Sequence, residues 1–209
     1  GSNTILSVFG IDVSEQYSLE KTNFNRFKKT QIQLNSPKNQ KGEWSFEHGL
    51  TFNKNDPDAR YNVWMSSIPA YSNGTLKTKI RLGTKPDTSV LFRYDPNSSD
   101  NPSGYSISIE GKNLRVYRWD YGKPRTIKRL AALPKETSEV YIVVSSINHT
   151  HSLSIIDAQT QITIDTYQFT DSRWLKGSVA FRAHKTQDSN TKITQATVLA
   201  SPYDPVSYT

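Results

Sequence analysis

The sequence predicts an all-β protein, a two-sheet antiparallel β-sandwich of jelly-roll type, and three observations carry that prediction. From Trp44 onward apolar and polar residues alternate with a period of two, the pattern of strands with one face buried and one in water. Turn-forming clusters interrupt the alternation roughly every eight to twelve residues. No stretch keeps a helical period for more than about three turns, and no segment repeats another. The length of 209 residues suits one large sandwich, and 11% aromatic content with many Val and Ile argues against disorder.

In chain order, residues 1–41 read as an N-terminal arm partly packed on the sandwich. They hold one apolar run, Ile5 to Val13, followed by a polar and basic segment in which Tyr17, Leu19, Phe24 and Phe27 fall at irregular spacing. The turn-rich break Ser36-Pro37-Lys38-Asn39-Gln40-Lys41-Gly42 then opens a sandwich expected over 42–200. Leu76, Thr78, Ile80 and Leu82 alternate with Lys77, Lys79 and Arg81, and Val90, Phe92 and Tyr94 with Leu91, Arg93 and Asp95. Tyr105, Ile107 and Ile109 alternate with Ser106, Ser108 and Glu110, and Leu114 and Val116 with Arg115, Tyr117 and Trp119. Glu110-Gly111-Lys112-Asn113 supplies the Gly and Asn that a tight hairpin needs where φ turns positive, so the flanking strands are expected to be antiparallel neighbours. Val140–Ile147 and Ser152–Asp157 form a second pair around Asn148-His149-Thr150-His151. Gln161–Phe169, Ser178–Ala183 and Thr191–Ala200 follow, and 201–209 reads as a linker.

The formal net charge of +7 favours anionic partners, but the basic residues are spread out: the denser groups, Lys21 to Lys41 and Lys123 to Arg129, read as solvated loops. Nucleic acid is therefore not an expected partner. The absence of cysteine excludes a disulfide framework, a thiolate nucleophile and a Cys-based zinc site. No apolar run approaches the ~18 residues that span a bilayer, and Gly1-Ser2 reads as an expression scar on a piece of a longer protein. Asn73-Gly74-Thr75, Asn97-Ser98-Ser99 and Asn148-His149-Thr150 fit the N-glycosylation pattern and agree with a secreted or cell-surface location.

The order of pieces from Trp44 to Ala200, "LFRYD…GYSISIE", "LRVYRWDYGKPRTIKRLAAL", the pair "VYIVVSSI…HSLSIID" and "GSVAFRA", resembles the concanavalin A-like, laminin G-like jelly roll of bacterial carbohydrate-binding modules. The resemblance implies a glycan-binding module, with the protein-interaction modules of the same fold as the alternative. It also implies the structural calcium that many relatives bind. Their last strand commonly carries an Asp-Asp or Asp-Asn pair, whereas this chain has Lys192-Ile193-Thr194-Gln195-Ala196-Thr197-Val198, which lacks the hard carboxylate ligands calcium takes. No cofactor is expected on that ground.

If the alternation holds, Arg93, Asp95, Glu110, Arg115, Tyr117 and Trp119 share one outward surface, joined by Arg182 and His184 from a later strand. That surface mixes rings, on which the C–H face of a pyranose stacks, with planar guanidinium and carboxylate groups that pair with hydroxyls or acids. The expected partner is carbohydrate, with anionic sugar favoured. Cross-strand packing alone also explains exposed aromatics and arginines on a sheet. A polysaccharide hydrolase needs two carboxylates about 5 to 10 Å apart. No E-x-D-x-E arrangement occurs, so no catalytic residue is assigned, Glu110 with Asp95 being the nearest approach. The histidines are His48, His149, His151 and His184; His149 and His151 share a hairpin, but no third metal ligand accompanies them.

Overall fold

The structure, a computed structural model, describes residues 28–201. The strands run in chain order as β1 (Lys28–Gln31), β2 (Asn39–Gln40), β3 (Glu43–Phe46), β4 (Leu50–Lys54), β5 (Asn62–Met65), β6 (Gly74–Arg81), β7 (Asp87–Tyr94) and β8 (Gly104–Glu110). They continue as β9 (Asn113–Asp120), β10 (Lys123–Arg129), β11 (Glu139–Ile147), β12 (Thr150–Asp157), β13 (Thr163–Thr170), β14 (Ser178–Ala183) and β15 (Lys192–Ala200). Among the described residues there is no helix. One sheet has eight strands in the order β13-β12-β11-β6-β15-β4-β3, with β1 added beside β15; the other has seven in the order β10-β9-β8-β7-β14-β5-β2. Every pairing is antiparallel, and the two sheets form the expected sandwich.

The alternation explains the core. Leu76 and Ile80 of β6, Ile142 and Val144 of β11, and Leu153 and Ile155 of β12 meet Val90, Phe92, Tyr105, Ile107, Val116, Val179 and Phe181 of the seven-stranded sheet in one buried cluster. Each such side chain removed from water stabilises the fold by about 1.5–3 kcal/mol. Trp64 belongs to this core, while Trp44 and Trp174 pack half-buried against it.

Three expectations need correction. Residues 28–41 are not an arm laid on the sandwich. β1 pairs with β15, β2 pairs with β5, and Ile32 and Leu34 are buried in the main core. Their mostly polar sequence hides them, because two short strands at sheet edges leave few positions to bury. Residues 1–27 and 202–209, the rest of the expected arm and linker, lie outside the described residues. Second, His151 is not part of the hairpin connection that holds His149. It sits in β12 with its ring fully buried among Phe92, Tyr105 and Phe169, and its Nδ1 is 2.9 Å from the Ser146 hydroxyl. Third, Asn73 is buried and its side-chain oxygen accepts the backbone N–H of Asn148, so only Asn97 and Asn148 of the three Asn-X-Ser/Thr triplets are exposed.

Candidate functional site

Strands β8 and β9 keep unbroken register from Gly104↔Trp119 to Glu110↔Asn113 across the Gly111 hairpin, where φ is +67°. Strict alternation therefore puts Ser106, Ser108 and Glu110 on the same outward side as Arg115, Tyr117 and Trp119. Strands β7 and β14 extend that side. Arg182 opposes Ser89, Ser89 opposes Ser108, Ser108 opposes Arg115 and Arg115 opposes Arg129, so one row crosses five strands from β14 to β10. The adjacent row runs Ala180, Leu91, Ser106, Tyr117.

A polar floor lies beneath this face. The Arg182 Nε–H donates to Ser89 Oγ at 3.1 Å, and its guanidinium sits 5.6 Å from the centre of the Trp119 ring. The Trp119 indole N–H donates to Ser106 Oγ at 2.8 Å, and the hydroxyls of Ser106, Ser108 and Ser89 follow at 3.0 and 2.7 Å. Tyr61 meets Trp119 edge-on at 5.3 Å and Tyr117 lies 5.9 Å from it. Val63, Met65, Leu91, Tyr94 and Ala180 complete an apolar cluster around Trp119, separate from the main core. Trp119 is 3% exposed and Arg182 7%, so these two form the base of the face.

The rim is more open. Tyr117 donates its hydroxyl to Glu110 Oε1 at 3.0 Å, and Arg115 Nε stands 3.3 Å from the same oxygen. Burial, with the bond to Glu110 second, pushes the Tyr117 hydroxyl pKa above its ordinary value. Asp87 faces Arg182 at 3.6 Å and His184 at 3.7 Å. Burial raises its carboxyl pKa despite the opposing pull of Arg182 and His184. The face thus offers half-exposed guanidinium, carboxylate, phenol and imidazole groups above a ring, each held by neighbours.

Six of the eight expected residues, Glu110, Arg115, Tyr117, Trp119, Arg182 and His184, are on this side. Arg93 is not. The ladder between β7 and β14 shifts between Ser178 and Ala180, and Arg93 takes φ +49°. This bulge consumes one residue of the alternation, so Phe92 and Arg93 both turn inward and Tyr94 turns out. Arg93 is 1% exposed, and its guanidinium donates to the carbonyls of Ser72 (2.8 Å) and Trp174 (3.0 Å) at the end of the core. Asp95 lies past the end of β7, where its Oδ1 accepts the N–H of Asn97 in its own turn. The carboxylate that stands across from Glu110 is Asp87, its Cα partner. Asp87 and Ser89 were legible from the same alternation, four and two residues before Leu91. Tyr61 comes from a loop, and no periodicity points to it.

Among the described residues no group of three or more His, Cys, Asp or Glu could hold a metal ion. The donor chemistry agrees at the last strand: Asp188, just before β15, spends its carboxylate on the N–H groups of Thr84 and Lys85 and on the Thr191 hydroxyl.

No protein-family model matches the sequence, and no curated protein matches it. Solved structures do match. The carbohydrate-binding module CBM66 from Bacillus subtilis is 12% identical, with 85% of this chain and 94% of that one aligned at a TM-score of 0.53. The fold is the concanavalin A-like jelly roll. Winged bean acidic lectin, solved with methyl-α-D-galactose, matches over 84% of this chain and 98% of its own at 10% identity and a TM-score of 0.58. A legume lectin-like domain from Entamoeba histolytica matches over 88% and 92% at 10% identity and 0.54. These neighbours are, by name, a carbohydrate-binding module and lectins, and at 10–12% identity they show the shared fold.

Proposed function

We propose that this chain is a non-catalytic carbohydrate-binding module that targets its parent protein to a glycan through the outward face of the seven-stranded sheet. The observation that carries the reading is the convergence of Arg115, Tyr117, Glu110 and Asp87 over the Trp119–Arg182 floor. Three guanidinium groups, on Arg115, Arg129 and Arg182, stand with two carboxylates along this face, which favours an acidic sugar. The strands hold these groups before the ligand arrives, so few contacts suffice for an affinity of about −4 to −8 kcal/mol. The place of action is secreted or cell-surface, in keeping with the exposed Asn97 and Asn148 triplets.

A glycan array with and without calcium tests this directly. Retention of uronic acid-containing, sialylated or sulfated glycans in both conditions is expected. Binding to no glycan, together with capture of a defined protein partner, would replace the reading with an adhesion module of the same fold. Release of reducing ends from a polysaccharide would point instead to hydrolysis, for which Asp87 and Glu110 are the cross-strand carboxylate pair.

A further inference from the structure

The tip of the β9–β10 hairpin carries a residue its backbone does not favour. Asp120 and Lys123 are Cα partners, which leaves Tyr121 and Gly122 as a two-residue turn with φ of +49° and +83°. Positive φ at both central positions is the type I′ geometry that Asn-Gly adopts with little strain, and a bulky aromatic in the first position is an outlier. The surroundings hold it there: Tyr121 N–H donates to Ser103 Oγ at 3.0 Å, Gly122 N–H to the Pro102 carbonyl at 2.8 Å, and the Tyr61 hydroxyl to the Gly122 carbonyl at 2.9 Å. The Tyr121 ring is nonetheless 59% exposed, so burial does not offset the strain.

Other groups gather beside that ring. Trp174 meets it edge-on at 5.7 Å, with its indole N–H anchored on the Trp119 carbonyl at 3.0 Å. The Arg173 guanidinium lies 4.2 Å from the centre of the Trp174 ring and 5.9 Å from that of Tyr121. Beside Arg173 opens a cleft of about 640 Å³ lined by Arg118, His149, Thr170, Asp171, Ser172 and Arg173. Its charges cancel: Arg118 is bound at 3.1 Å to Asp120 and at 3.0 Å to Asp171, and Arg173 stands 3.6 Å from Asp120. A net anion gains little there. A neutral ligand with an apolar face for the rings and hydroxyls for Thr170, Ser172, His149 and Arg173 fits both halves.

We infer that Tyr121, Arg173 and Trp174, with the adjoining cleft, form a second sugar-binding site at the end of the sandwich, specific for neutral pyranosides whose ring substituents are all equatorial. Such a ring, as in a β-glucoside, presents an unbroken C–H face for stacking. The inference rests on the reading of the chain as glycan-binding, but the sheet face and this site are separable, because each contains its own tryptophan.

The indole N–H resonances of Trp119 and Trp174 report the two places independently in a ¹H–¹⁵N NMR titration with methyl β-D-glucopyranoside. The Trp174 indole and Arg173 Nε–H signals should shift while the Trp119 indole stays in place. Tyr121→Asn suits the turn and leaves the sheet face intact; it should weaken the apparent affinity by about tenfold, whereas Tyr121→Phe should retain it. Shifts at the Trp119 indole alone would overturn this site and leave glycan binding standing on the sheet face. No shift at either indole, or unchanged affinity in Tyr121→Asn, would also overturn it, while loss of array binding in Arg115→Ala/Tyr117→Ala decides the sheet face separately.

Discussion

Arg93 and Arg182 stand on neighbouring strands, and both guanidinium groups are almost wholly removed from water, yet they do opposite things. Arg93 points between the sheets and binds two main-chain carbonyls at the end of the core. Arg182 points away from the core and lies under the Trp119 ring, with a serine and a carboxylate as its partners. Counting residues along the strand puts both outside. A single bulge residue in β7 separates the two outcomes, and it converts one arginine from a candidate ligand contact into a structural tie.

Removing each arginine should separate the two roles. Arg93→Met takes a charged donor from two buried carbonyls, which costs about 3–5 kcal/mol of stability by urea denaturation, while the remaining folded protein keeps its glycan affinity. A small stability change with selective loss of binding would place Arg93 with Arg182 after all. Arg182→Ala should cost less, about 1–3 kcal/mol, because rim water can reach Asp87 and Ser89, but it should weaken glycan binding strongly.

The inward region has its own pH signature. His151 lies between the sheets near Arg93, with Asp171 and His149 also acting on it, and burial holds its pKa down at about 3 against an ordinary 6.5. The folded state therefore refuses a proton that the unfolded chain takes up, so stability is full above pH 6.5 and is lost as pH falls toward 3. Asp171 is also held low, by hydrogen bonds from Tyr105, Arg173 and Arg118 that outweigh its burial, and it acts in the same direction only nearer pH 4. Between pH 7 and 5 the histidine alone should remove about 2 kcal/mol. His151→Phe, which keeps the ring among Phe92, Tyr105 and Phe169, should flatten that slope in thermal melts. An unchanged slope would mean that the imidazole is solvated.

How far the sequence could be read follows from the same contrast. The two sheets, the hairpin at Gly111 and the outward placement of Arg115, Tyr117 and Trp119 were legible because register there is continuous and period two maps directly onto two faces. Arg93 was not, since a bulge leaves no mark in the alternation of residue types. Residues 28–41 were misplaced because edge strands of four and two residues bury too little to show a pattern. The burial of His151 was hidden by its position two residues past a turn, where polar neighbours imitate a loop. The stacking of Arg173 on Trp174 joins a loop to a hairpin tip, a contact that only the tertiary fold supplies.

If sugar binds on the outward face of the seven-stranded sheet, the rim groups Arg115 and Tyr117 must contribute to affinity. Calorimetric titration of the strongest glycan from the array into the parent chain and into Arg115→Ala/Tyr117→Ala tests it most directly, because both residues are rim groups whose loss should leave the melting temperature nearly unchanged. A drop in affinity of about tenfold or more is expected in the double variant. Equal affinity in the two proteins would contradict it.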